Sequence, residues 1–206
     1  MLEVKHLKFG FGKKTLLNNI NFHVRGGELT RIDGPNGAGK STMIALICGF
    51  LSGHEGSISF KGPSDFRSWT SWIAADSNGL FPSLSAIANL DFWLKIRGQS
   101  VSESTISQTL LSWGIAGDWV QKGLPTSKFS TGMKRRVALA RLELENSRLW
   151  LLDEPLFGLD EEAYAKFKRL LDSHLASGGA TVVVTHDGRL VEGLPHQTVS
   201  LGERHA

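Results

Sequence analysis

Near the start of the chain apolar residues fall largely on alternate positions, Leu2, Val4, Leu7 and Phe9, which predicts a strand with one buried face. Asn18 to Val24 supplies a pairing partner, and Gly26-Gly27 turns the chain into a third strand, Glu28 to Asp33. The run Met43 to Ile47 then reads as helix. A turn at Ser52 to Gly56 leads to short strands at Ser57 to Phe60 and at Ser71 to Ala75, the latter ending at Asp76. From Ser83 the period changes. Leu84, Ile87, Leu90, Phe92 and Leu94 mark one helix closed by Gly98, and Ile106, Leu110, Leu111 and Ile115 mark a second. Two later runs, Leu149 to Leu152 and Thr181 to Val184, are apolar or β-branched without alternation, the mark of strands buried on both faces in a parallel sheet. Between them Leu170 to Ala176 completes a helix capped by Ser177-Gly178-Gly179. The pattern is therefore α/β, strands and helices in alternation, with residues 77 to 145 inserted as a helical block.

Composition narrows this only a little. Hydrophobic residues make up 41% and charged residues 21% of 206 positions, as in an ordinary globular protein with a substantial core. The net charge of +3 is too mild to argue for nucleic acid. No apolar run approaches the ~18 residues of a membrane span. Met1-Leu2-Glu3-Val4 opens directly as a strand, without a signal-peptide pattern, so the protein is expected to stay inside the cell. The one cysteine, Cys48, lies on the apolar face of the helix after Lys40 and is expected to be a buried structural thiol. Most of the six tryptophans, among them Trp69, Trp72, Trp93 and Trp113, are expected in the core.

Chemistry concentrates where strands end. Gly34-Pro35-Asn36-Gly37-Ala38-Gly39-Lys40-Ser41-Thr42 fits G-x-x-x-x-G-K-[ST] at every fixed position, between a strand and a helix. Glycines at Gly34, Gly37 and Gly39 let backbone N–H groups converge on a triphosphate, and the helix from Lys40 turns its positive end toward it. Lys40 would reach the β- and γ-phosphates, Ser41 would ligate Mg²⁺, and Thr42 would add a phosphate contact. Asp153-Glu154 closes the buried strand at Leu152. An isolated Asp-Glu is usually a helix cap or a surface turn; behind such a loop, Asp153 would support Mg²⁺ and Glu154 would polarise the water attacking the γ-phosphate. His186 follows the next buried strand and would meet the same sheet edge, where it would hydrogen-bond the γ-phosphate. Phe11 is a candidate ring for stacking on adenine, or else a core aromatic.

These residues resemble those of the ATP-binding subunits of ABC transporters over essentially the whole chain. The match comprises a Walker A motif at Gly34 to Thr42, a Walker B motif with its glutamate at Leu149 to Glu154, a D-loop at Gly158-Leu159-Asp160 and a switch histidine at His186. Phe129-Ser130-Thr131-Gly132-Met133, running into Lys134 to Arg141, is similar to the family's signature segment. The resemblance implies a P-loop NTPase core with a mainly parallel sheet, an N-terminal antiparallel β subdomain and a helical insertion. It implies one ATPase domain over 1–206, with 1–76 and 146–206 as catalytic core and 77–145 as helical subdomain. Further implications are ATP and Mg²⁺ as cofactors and a homo- or heterodimer in which Ser130 and Gly132 act on the neighbour's nucleotide. Separate transmembrane permease subunits and a cytoplasmic position on the inner face of the membrane complete the expectation; nucleic acid is not expected.

Phe11 matches the family's adenine-stacking aromatic. Thr131 and Met133 depart from the signature consensus, and Asp76 stands where the family has a glutamine; an aspartate there would help hold Mg²⁺ or accept from the attacking water. Arg135 to Leu142 followed by Leu149-Trp150, with the compact length and the absence of a C-terminal regulatory domain, looks like the ATPase subunit of the haem exporter used in cytochrome c maturation. A soluble ABC-type ATPase of DNA repair or translation, and a nucleotide sensor that does not hydrolyse, are the alternatives.

Overall fold

The computed structural model of the chain describes residues 1–62, 65–75 and 78–202. These form two compact units: Met1–Trp72 with Arg148–Glu154 and His174–Ala206, and Ile73–Ser147 with Pro155–Ser173.

The first unit carries both sheets. β1 (Leu2–Phe11) pairs antiparallel with β2 (Lys14–Val24) on one side and β4 (Glu55–Phe60) on the other. The buried residues of β1 shift parity between Val4 and Leu7, and the cause is local. His6 takes a left-handed φ of 50°, and the β1–β2 register shifts between Val4 and Leu7. Opposite it Asn19 also has φ 50°, and Gly56 passes so close that a Cβ would stand 2.3 Å from the His6 carbonyl. A bulge inserts one residue and restores the buried face on the far side of the kink.

The second sheet runs β5 (Thr70–Ile73), β6 (Leu149–Asp153), β7 (Ala180–Val184), β3 (Leu29–Asp33) and β8 (His196–Ser200). The β6–β7, β7–β3 and β3–β8 ladders are parallel. All residues of β6 and β7 are buried, as expected from their unbroken apolar character. Helix α1 (Lys40–Ile47) contributes Met43, Ile44, Leu46 and Ile47 to the core below β3 and β6, next to Cys48, whose burial pushes its thiol up to about 12. An α/β fold with a parallel sheet and an antiparallel β subdomain is thus borne out.

In the second unit α2 (Ala86–Ile96), α3 (Glu103–Ser112) and α5 (Thr131–Leu144) pack around Leu90, Leu94, Ile106, Leu110 and Val137, with the short α4 (Gly117–Gln121) beside α3. Ser85 and Ser102 cap α2 and α3, accepting from Ala88 and Thr105 N–H at 3.1 Å each. α3 stops short of Ile115 because Gly114 takes φ 73°, a conformation that ends a helix. β5 lies slightly earlier than its apolar run predicts, ending at Ile73. Trp69, Trp113 and Trp150 are buried. Among the described residues no helix is long and apolar enough to cross a membrane.

α6 (Glu161–Ala176) delivers one titratable group to the first unit's core. His174 is only 8% exposed, its ring lies parallel to Trp150 at 3.7 Å, and its Nε2–H donates to the Ala180 carbonyl at 3.1 Å. Gly179 passes so close that a Cβ there would overlap the imidazole. Burial holds the His174 pKa below 6.5, outweighing the carbonyl contact. The unfolded chain therefore takes up a proton near pH 6.5 that the folded chain refuses until lower pH. Stability from this site is present above the unfolded-chain pKa of 6.5 and is lost as pH falls below it toward the lower folded-state value. Denaturant unfolding at pH 7.5 and 5.5 checks this: the loss shrinks in His174→Phe, which keeps the stack and cannot take the proton.

Candidate functional site

The first unit gathers its polar chemistry at the carboxyl ends of β3, β6 and β7. β3 delivers the glycine loop. Gly34 has φ 145° and donates its N–H to Asp33 Oδ1 at 2.9 Å; a Cβ there would lie 2.5 Å from the Leu201 carbonyl. Gly37 has φ 80°, and Gly39, with φ 97°, caps α1 without any side-chain acceptor for the first-turn amides. Left-handed residues at these points are what bends the loop around a central space and leaves α1's N-terminus to an anion. Pro35, Asn36 and Gly37 are exposed, Ala38 is buried, and Lys40 is only 9% exposed. Its ammonium donates to the Gly34 and Pro35 carbonyls at 2.6 and 3.0 Å, which centres a positive charge on the loop. Ser41 is exposed and Thr42 half-buried at the start of α1.

β6 ends in Asp153, 5% exposed, and the next residue, Glu154, turns off the strand with a left-handed φ of 47°. Such a backbone costs a non-glycine residue about 1–3 kcal/mol and persists only where its surroundings fix it. Here the Glu154 N–H is held by the Val184 carbonyl at 2.9 Å. β7 then places His186, whose Nε2 lies 3.5 Å from Glu154 Oε1. Burial pushes the Glu154 carboxyl above its ordinary 4.5; His186 pulls it down, the charge of Asp153 adds to the rise, and Lys40 also pulls it down. The outcome is a carboxylate held more basic than usual beside a half-exposed imidazole, as a proton acceptor requires. Asp187 serves the backbone instead. It caps the turn after β7, accepting from Arg189 N–H at 3.0 Å, and the Arg189 hydrogen bonds hold its carboxyl below 3.8.

Phe11 differs from its expected place between two strands. It is the last residue of β1, paired with Lys14, because Gly12 makes the turn with φ 58°. Its ring meets Phe9 edge-on at 5.1 Å and is 59% exposed, so a face is open for stacking.

Ser130 and Gly132 belong to the second unit. Ser130 caps α5, its Oγ accepting from Met133 N–H at 3.2 Å, and the hydroxyl proton remains to be donated. Gly132 has an intrachain reason that its motif did not reveal: a Cβ there would stand 2.7 Å from the Gly158 carbonyl. The D-loop is fastened to α5 as well. Asp160 accepts from Ala163 N–H at 3.0 Å and from the Arg136 guanidinium. Asp76 lies outside the described residues.

Ser41 and Asp153 offer a hydroxyl and a carboxylate. Hard oxygen donors, few in number, fit Mg²⁺, which keeps much of its water shell, rather than a metal that seeks nitrogen or sulfur.

A family model described as "ABC transporter" matches residues 17–157. The chain is 32% identical to the cytochrome c biogenesis ATP-binding export protein CcmA of Vibrio vulnificus (strain YJ016), over 98% of this chain and all of that protein. It is 35% identical to the protein of the same name from Nitrosomonas europaea, over 90% of this chain and 88% of that one. Among solved structures, an ATP binding subunit of an ABC transporter superposes with a TM-score of 0.82 at 26% identity, covering 98% of this chain and 88% of the other. A dimeric ATP-binding cassette in a post-hydrolysis state with ADP and Pi superposes with a TM-score of 0.81 at 22% identity, covering 98% and 97%, and so shares the fold.

Proposed function

This chain belongs to the ABC transporter family, and from that premise we propose that it is the ATP-binding and ATP-hydrolysing subunit of an exporter serving cytochrome c biogenesis, working with separate membrane-spanning chains. One observation carries the proposal: the glycine loop, the raised carboxylate of Glu154 and His186, 3.5 Å from it, stand at the carboxyl ends of neighbouring parallel strands. The names of the CcmA relatives support the assignment to cytochrome c biogenesis. Haem as cargo rests on the resemblance of Arg135 to Leu142 and Leu149-Trp150, with the compact length, to the ATPase subunit of the haem exporter.

In this reading the loop amides and Lys40 bind the β- and γ-phosphates, and Phe11 stacks on the adenine. Ser41 and Asp153 hold Mg²⁺, which when bound offsets the charge of the triphosphate. Glu154 accepts the proton of the attacking water, and the bond from the γ-phosphorus to the bridging oxygen breaks as the water oxygen adds. His186 donates to the γ-phosphate. Ser130 and the first-turn amides of α5 meet the nucleotide held by a second copy, so that two nucleotides join two chains. Residues 1–206 act as one ATPase domain whose helical part, 77–145, meets the membrane-spanning partner on the inner face of the membrane.

Purification from detergent-solubilised membranes tests the assignment. Stoichiometric membrane-spanning partners identified by mass are the expected result. A chain recovered without them, with a salt-sensitive affinity for nucleic acid, would turn the assignment toward the soluble ATPases.

A further inference from the structure

Helix α5 carries two fully buried arginines, Arg135 and Arg141. A guanidinium out of water is costly unless its donors are used. Arg135 Nη1 donates to the Ala74 carbonyl at 3.0 Å, and Nη2 donates to the Ala75 carbonyl at 2.7 Å. Both acceptors lie in the stretch that follows β5. Farther along that stretch the holding groups are again side chains. Trp93 Nε1 donates to the Gly79 carbonyl at 2.7 Å, with the Arg141 guanidinium 4.6 Å over the Trp93 ring. Asn89 Oδ1 accepts from Phe81 N–H at 2.7 Å, while its Nδ2 donates to the Phe81 carbonyl at 3.1 Å. Ala74, Ala75, Gly79 and Phe81 are thus held by side chains of α2 and α5, and Phe81 by Thr126 as well, so these residues take their positions from the helical unit.

The same contacts act in reverse on α5. Two nitrogens of one planar group reading two successive carbonyls fix an angle as well as a distance, which a lysine ammonium cannot do. Arg136 is engaged elsewhere, with Trp113 and Asp160. Arg135 lies little more than one helical turn from Ser130, so its setting is passed directly to the helix tip.

We propose that Arg135 is a positioning residue: its paired hydrogen bonds to Ala74 and Ala75 set the orientation of α5, and thereby aim Ser130 and the first-turn amides at the nucleotide of the second copy. This rests on the dimer reading given above. Arg135 touches no nucleotide itself, so its loss weakens the step that joins two chains and spares the step in which one chain binds ATP.

The experiment uses the full chain with Arg135→Met and Arg135→Lys, and with each combined with Glu154→Gln for dimerisation. Binding of mant-ATP to the dilute monomer is expected within about twofold of the parent, because the glycine loop is untouched. The ATP concentration that half-dimerises the Glu154→Gln form rises about tenfold or more, and kcat falls about as much, with Arg135→Lys between Met and the parent. Parental dimerisation and turnover in both variants overturn the proposal. So does a parallel fall of monomer nucleotide binding, turnover and melting temperature, since that is simple loss of packing. If Arg135→Met does not fold, Arg135→Lys decides by the same readings. Ser130→Ala, measured alongside, separates the layers. If it dimerises normally, the dimer reading itself is wrong and the proposal goes with it; if only the Arg135 variants are normal, the dimer reading stands and the positioning role is wrong.

Discussion

Replacing Glu154 by Gln is expected to lower ATP turnover by about 10²- to 10⁴-fold, the range of a lost general base. The amide keeps the size of the side chain and the left-handed turn that aims it, so the site's geometry is retained while its basicity is removed. In the proposed reading nucleotide binding depends on other groups, the loop amides and Lys40, and is expected to survive. The variant is therefore expected to accumulate as an ATP-stabilised dimer on size-exclusion chromatography. Turnover close to that of the parent would remove Glu154 from its role. The pH profile gives a second reading. Only the ionised carboxylate can accept a proton, and burial holds Glu154 above 4.5. Activity should therefore be lost on acidification at a pH above the ordinary carboxylate range.

Lys40→Ala is expected to lower kcat/KM by about 10²- to 10³-fold, comparable to removing one preorganised donor from a site of developing charge. The ammonium is nearly buried and already drawn into the loop by two carbonyls, so in the proposed role it needs no further ordering to meet a phosphate. Mant-ATP affinity should fall with turnover, whereas in Glu154→Gln the two part company. That contrast distinguishes a binding charge from a proton acceptor. Far-UV circular dichroism of Lys40→Ala should match the parent; normal turnover in a folded Lys40→Ala variant would discount the loop as the nucleotide site.

The features that can be read along the chain are those whose cause is local. The glycine loop is legible because its residue types are set by backbone conformation, and β6 and β7 because strands buried on both faces need unbroken apolar runs. The step from Val4 to Leu7 is visible as an uneven alternation, although only the φ of His6 makes it a bulge. What stays hidden depends on distant partners. β8, His196 to Ser200, lacks a clear apolar period and is a strand because β3 offers it a free edge. α4 has five residues, too few to show a period. The left-handed turn at Glu154 is held by Val184, and the close approach of Gly132 to Gly158 joins segments separated by β6, so neither leaves a mark in its own neighbourhood. Among the candidate residues the fold places Glu154 beside His186 and Lys40 within the loop, while Ser130 and Gly132 belong to the other unit.

The glycine loop also leans on something made much later. Leu201 donates its N–H to the Asp33 carbonyl at 2.8 Å, its own carbonyl stands against Gly34, and a Cβ at Gly202 would meet Pro35 and Ala38 at 3.4 Å. On the ribosome, the glycine loop leaves the exit tunnel long before this backing strip has been translated. A nascent chain halted before β8 would hold the glycine loop yet lack one wall of it, so the loop's own shape waits on residues 196–202.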